Sequence, residues 1–295
     1  CGTAYHAALT ASYIFSHIAK KHVNVVLASE FHNYKDFLIP ETLVVAVSQS
    51  GETADVIDAI KTAKSKGTKT LAILNVMGSS MMRLCDDSLL IHAGPEIAVA
   101  STKAFTGQIA VLSLLAYACA GKAEEGKKYL ASLSHFIKSD ILAEHSVERI
   151  KKLAHAIRDA KDAFLIGRGL SYPLALEGAL KIKEVSYIHA EGFAGGELKH
   201  GTIALIEEGT PCIVLVDNEN KDMMISNAHE VKARGGLIIG IAEKEDAIFD
   251  VFFKIPAASP ILFAVIMQLL AYYLALEREC SIDCPKNLAK VVTVR

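Results

Sequence analysis

Apolar residues recur along this chain in two alternating patterns. Residues 42–47 form an apolar run rich in valine, the pattern of a strand buried on both faces. Residues 54–66 carry apolar positions at helical spacing and stop at Gly67, and residues 70–74 predict the next strand. Farther along, residues 163–166 predict a strand ending in Gly167-Arg168-Gly169, and residues 211–216 and 237–241 predict two more. Such alternation of strands and helices implies parallel sheets with helices on both faces. The most apolar stretch, residues 261–276, is bounded by Pro260 and by Glu277-Arg278-Glu279. It is short for a membrane span and predicts a buried helix.

The pattern occurs twice. A shift of 167 residues brings Tyr5 onto Tyr172, Ala8 onto Ala175, Leu9 onto Leu176, His22 onto His189 and Glu30 onto Glu197. A shift of 168 brings residues 42–47 onto 210–215 and Lys66-Gly67 onto Arg234-Gly235. Near the ends, Leu115-Ala116-Tyr117 matches Leu270-Ala271-Tyr272. The common order of these matches indicates one domain built twice. We therefore expect a first domain over 1–130, a polar helical connector over 131–160, a second domain over 161–280 and a C-terminal tail over 281–295. The second unit has a strand before Gly167-Arg168-Gly169. Its counterpart in the first would precede Cys1-Gly2-Thr3, so the first domain is expected without its opening strand.

Composition narrows the function. The 295 residues are 52% hydrophobic and 22% charged, with a net charge of -2. That balance supports sizeable cores, and with no basic block it argues against a nucleic-acid surface. No charged-then-apolar signal opens the chain, which suits a cytoplasmic protein. The six cysteines are scattered without metal-ligand spacing, so reduced thiols and no metal site are expected.

The sharpest chemical signal is Ser48-Gln49-Ser50-Gly51-Glu52-Thr53, between a strand and a helix. Backbone N–H groups at such a helix start are unpaired, and the helix dipole favours an anion. Three hydroxyls, one amide and a permissive glycine make this a phosphate cradle, although Ser50 or Thr53 acting as an ordinary N-cap would leave the same pattern. The second unit has Val216-Asp217-Asn218 at the same place, where a carboxylate would repel phosphate. Only the first unit is expected to bind one. Ala100-Ser101-Thr102-Lys103 opens another apolar helix, where Ser101 or Thr102 can cap and also touch a substrate. In Glu177-Gly178-Ala179-Leu180-Lys181-Ile182-Lys183-Glu184, Lys181 shares a helix face with Glu177 and Glu184. Ion pairs alone produce such spacing. The following Gly195-Gly196-Glu197-Leu198-Lys199-His200-Gly201 places a histidine, the side chain suited to proton transfer near neutral pH, in a glycine-rich loop.

Together with Val99-Ala100-Ser101-Thr102-Lys103, Glu191 and Asn287-Leu288-Ala289-Lys290, these motifs resemble the isomerase module of the glutamine–fructose-6-phosphate aminotransferase (glucosamine-6-phosphate synthase) family, over the whole chain and in family order. The resemblance implies an α/β fold of two tandem sugar isomerase (SIS) domains, each a flavodoxin-like three-layer sandwich. It implies the conversion of fructose 6-phosphate and ammonia to glucosamine 6-phosphate, without a cofactor, in a homodimer. Thr3, Ser48, Gln49, Ser50 and Thr53 would hold the sugar phosphate, and Val99, Ser101 and Ala289 would line the sugar. Glu184 would shuttle the proton between C1 and C2, with Lys181 assisting. His200, from a neighbouring subunit, would open the ring, and Lys290 would meet the open-chain carbonyl. Ala4, Thr202 and Lys286 depart from the family's serine, proline and arginine, and imply altered affinity. The residues after Cys1-Gly2 do not match a glutaminase opening, so ammonia would come from a glutaminase domain outside this sequence. Two other readings remain: a SIS-domain deglycase acting on a sugar phosphate–amine adduct, and a non-enzymatic sugar-phosphate sensor. A sensor needs no Glu184, Lys181, His200 or Lys290.

Overall fold

The computed structural model describes residues 1–293, so the last two residues of the expected tail lie outside the described residues. The chain forms two compact units, Cys1–Lys127 with the chain from Asn287 onward, and Lys128–Lys286.

The first unit opens with α1 (Gly2–Ile14) and continues through β1 (Leu43–Val47), α2 (Ala54–Ser65), β2 (Lys69–Leu74), α3 (Ser80–Leu84), β3 (Asp87–Leu90) and α4 (Lys103–Cys119). Its strands form a parallel sheet in the order β1-β2-β3, with Val45 opposite Leu71 and Ala72 opposite Ser88. Val56 and Ile60 of α2 and Met81 of α3 pack on Ala72 and Leu74 of β2. The apolar run implies that β1 is buried on both faces. Instead β1 is half-buried, with Leu43 55% exposed, because it is an edge strand among the described residues.

Helix α5 (Ala123–Phe136) crosses the unit boundary and leads to α6 (Glu144–Ile157). The second unit then contains β4 (Asp162–Gly167), α7 (Tyr172–Ser186), β5 (His189–Ala194), β6 (Pro211–Leu215), α8 (Lys221–Lys232), β7 (Leu237–Ala242), β8 (Val251–Lys254) and α9 (Pro260–Glu277). Its parallel sheet runs β5-β4-β6-β7-β8. This is the flavodoxin-like order, whose switch point lies at the carboxyl ends of β4 and β6. Alternation along β4 sends Phe164 and Ile166 into a core with Met224, Ala228 and Val231 of α8. Leu165 faces the other way, towards α7 and α9. There Gly178 of α7 comes so close that a Cβ would lie 2.8 Å from Leu165 Cδ2 and 3.0 Å from Met267 Sδ. Helices therefore cover both faces, and a missing side chain sets the depth of α7. The expected buried helix is α9. Among the described residues it is the one helix long and apolar enough to cross a membrane, and 61% of it is buried inside the protein.

Candidate active site

The loop after β1 is folded by its own hydroxyls. Ser48 is 3% exposed, its N–H donates to Ile73 O at 3.0 Å, and its Oγ accepts from Gly51 N–H at 3.0 Å. Ser50 Oγ accepts from Glu52 N–H at 3.1 Å. Each hydroxyl has spent a lone pair and keeps its O–H to donate. Gly51 has a φ of +69°, and a Cβ there would lie 2.2 Å from Ser79 Oγ, so only glycine fits this turn. Glu52 Oε1 accepts from Ser80 N–H at 2.7 Å, which straps the loop to the start of α3 and holds the Glu52 carboxyl below its ordinary range. Thr53 is the N-cap residue of α2, but no side chain caps this helix. The N-cap alternative for Ser50 and Thr53 is thus not what these hydroxyls do. Thr3 lies buried in the first turn of α1, and Gln49 accepts from Asn75 N–H through its backbone carbonyl at 3.1 Å.

In the second unit the matching place is filled from within. Asp217, 7% exposed, accepts from Asn220 N–H at 2.8 Å and from its amide at 2.9 Å. Ser171 Oγ lies 3.4 Å from the same carboxylate. A carboxylate already occupies the spot where the first loop offers hydroxyls.

The Val99-Ala100-Ser101-Thr102-Lys103 motif reads differently in three dimensions. Val99 and Ser101 lie on the loop before α4, but neither Ser101 nor Thr102 caps that helix by its side chain. The cap is Glu96, which sequence reasoning passed over. Its Oε1 accepts from Thr102 N–H at 2.7 Å and Ala104 N–H at 3.2 Å, and its Oε2 accepts from Ser101 Oγ at 2.8 Å. Lys290 reaches the same carboxylate, with Nζ 3.4 Å from Oε2, and donates to Ala98 O at 2.6 Å. Ala289, beside it, is exposed. A glutamate in coil, several residues before the helix it serves, carries no local capping signature.

On α7, Lys181 is 2% exposed and lies between two carboxylates: Glu177 Oε1 at 3.5 Å and Glu184 Oε2 at 2.5 Å. Burial works against its charge, but Glu177 and then Glu184 outweigh it and raise the ammonium above its ordinary value. The carboxylates differ in access. Glu177 is 2% exposed, whereas Glu184 is 21% exposed. The structure thus joins Lys181 and Glu184 into one ion pair, with Glu177 as the buried counter-charge. His200 stands apart from that burial, exposed on the turn after β5, with its N–H donating to Glu197 O at 3.0 Å. Among the described residues no group of three or more His, Cys, Asp or Glu could hold a metal ion. Cys212, fully buried in β6, has its thiol pushed up to about 12 by desolvation and is no nucleophile.

The chain is 48% identical to a glutamine–fructose-6-phosphate aminotransferase [isomerizing] of Thermococcus kodakarensis, over 99% of this chain and 51% of that protein. It is 45% identical to the enzyme of the same name from Clostridium acetobutylicum, over 100% of this chain and 51% of that protein. The chain thus spans about half the length of these relatives. Among solved structures, the C-terminal domain of glucosamine-fructose-6-phosphate aminotransferase from Francisella tularensis superposes with a TM-score of 0.87 at 36% identity, covering 97% of this chain and 85% of that one. The SIS domain family model matches residues 1–118 and 156–278. With two parallel sheets between helices and a match in each half, the chain belongs to the SIS domain family, as a tandem pair like the isomerase half of those aminotransferases.

Proposed function

We propose that this chain is an isomerase module that converts fructose 6-phosphate, with ammonia, to glucosamine 6-phosphate. The observation that carries the reading is the Lys181–Glu184 pair, a buried ammonium against a carboxylate that remains reachable. Moving a carbonyl from C2 to C1 needs one base that takes a proton from one carbon and returns it to the other, and Glu184 fills that role with Lys181 assisting. Thr3, Ser48, Gln49, Ser50 and Thr53 hold the phosphate, with the Ser48 and Ser50 hydroxyls free to donate to it. Val99, Ser101 and Ala289 line the sugar. Lys290 Nζ, once deprotonated, attacks the open-chain carbonyl carbon and the carbonyl oxygen leaves as water; ammonia then attacks the same carbon and the Lys290 amine leaves, free for the next turnover. His200 opens the sugar ring from a neighbouring subunit, so the working unit is a homodimer. The ammonia comes from a glutaminase domain, and the setting is the cytoplasm.

The test is incubation with fructose 6-phosphate, with and without ammonium, followed by product identification. Formation of glucosamine 6-phosphate only with ammonium supports the reading. Release of amine from an added sugar phosphate–amine adduct, without net synthesis, replaces it by a deglycase. Glu184→Gln keeps the shape and removes the base. Exchange of the C1 or C2 hydrogen with solvent should then fall by about a hundredfold or more while sugar-phosphate binding survives. Exchange at the normal rate removes Glu184 from the role.

A further inference from the structure

We propose that Glu96 is the positioning residue that holds the Lys290 amine at the sugar-binding loop. The catalytic part of this inference rests on the isomerase reading above. The Glu96 side chain is only 3% exposed and serves four donors, divided by atom. Oε1 takes the Thr102 and Ala104 N–H groups that open α4. Oε2 takes the Ser101 hydroxyl and the Lys290 ammonium. The second division matters because an ammonium beside the start of α4 faces the positive end of the helix dipole. A buried carboxylate between them cancels that repulsion and turns the helix start into a seat for a cation. A second anchor lies on the same tail: Val292 O accepts from Ala54 N–H, the first residue of α2, at 3.2 Å. Lys290 is thereby fixed on both sides, by its own side chain and by the backbone two residues later. Ser101 and Lys290 share one oxygen, so the group that would line the sugar and the amine that would attack it are set in register.

Glu96→Gln separates the two duties. Its amide oxygen still accepts the two helix N–H groups, and its NH₂ can donate to Ser101 Oγ, which turns to accept, but it faces the Lys290 ammonium donor against donor. Labelling of Lys290 by an amine reagent at neutral pH, read by mass spectrometry against Lys122 of the same chain, should rise several-fold in this variant. Under the isomerase reading kcat should fall by about tenfold to a hundredfold, as expected for a displaced reacting group. KM for fructose 6-phosphate should change by less than kcat, because the phosphate loop is untouched and Ser101 alone among the proposed sugar contacts is re-paired. Glu96→Asp, which returns the charge, should recover part of kcat. Lys290→Met leaves the α4 cap intact and is the second variant: amide exchange over residues 288–292 should accelerate. Unchanged labelling in folded Glu96→Gln, or unchanged tail exchange in Lys290→Met, overturns the proposal. Labelling and exchange need no sugar. If they behave as stated while the wild-type chain forms no amino sugar, the isomerase reading fails and the Glu96–Lys290 anchor stands.

Discussion

At the scale of single residues, the chemistry depends on which charges are buried with partners. Lys181 and Glu177 are each 2% exposed, so neither tolerates the loss of the other. Lys181→Met should cost about 3–5 kcal/mol, because it removes the cation that lies against the buried Glu177 and against Glu184. The pH dependence follows from the raised value of this ammonium. Its contribution is fully present below the unfolded value of 10.5 and is lost only as pH rises through the higher folded value. Urea unfolding across alkaline pH should therefore show a loss of stability above 10.5 that the Met variant lacks; parallel curves would contradict this. Much of this site was legible in the sequence. The i, i+4 and i, i+3 spacings on one helix already placed Lys181 between Glu177 and Glu184. Spacing could not say which carboxylate is accessible, because access depends on what packs over the helix. Glu96 stayed hidden for a related reason: Lys290, which reaches its carboxylate, lies far away in the chain.

At the scale of elements, packing against the second sheet sets where α7 lies. Gly178 allows that approach, and Gly178→Ala would drive a methyl to 2.8 Å from Leu165 Cδ2. Such overpacking should cost about 1–3 kcal/mol and move the Lys181–Glu184 pair with its helix. A thermal melt measures the first effect, and hydrogen exchange at the sugar carbon measures the second. A variant with wild-type melting would show that the helix has room to spare. Strands buried on both faces were legible as apolar runs; β6 is buried at all of its positions. Three strands were not predicted: β8, whose apolar run Val-Phe-Phe is only three residues long, and β5 and β3. β5 reads His-Ala-Glu-Gly-Phe-Ala and β3 reads Asp-Ser-Leu-Leu. Both lie at sheet edges, where one side needs no partner and polar residues are tolerated, so neither carries a continuous apolar signature. β1 shows the converse, an apolar run that lies at an edge among the described residues.

At the scale of the whole molecule, a shared site would make two chains interdependent. His200 is exposed on its turn rather than buried with the Lys181 set, as a group serving a neighbour's site would be. Mixing inactive Glu184→Gln chains with inactive His200→Ala chains should restore some activity, since some mixed sites carry both wild-type groups. Demonstrated subunit exchange without recovery would place His200 in its own chain's site.

The discontinuous first unit has a consequence for how the protein is made. Residues 1–127 leave the ribosome before the second unit, yet the segment that docks on Glu96 and on the start of α2 is translated only after the entire second unit. During that interval the loop after β1 exists without the tail, and the Glu96 carboxylate lacks the Lys290 ammonium. A chain cut short before Asn287 would keep a complete second unit and a first unit open at the place where Lys290 docks. Pulse proteolysis of stalled nascent chains should find the first unit cleavable until residues 287–293 have emerged and resistant afterwards. Early resistance would mean that the tail is dispensable for closure. Under the proposed function, such a truncated chain would hold sugar phosphate without transforming it, which makes emergence of the tail the event that arms the enzyme.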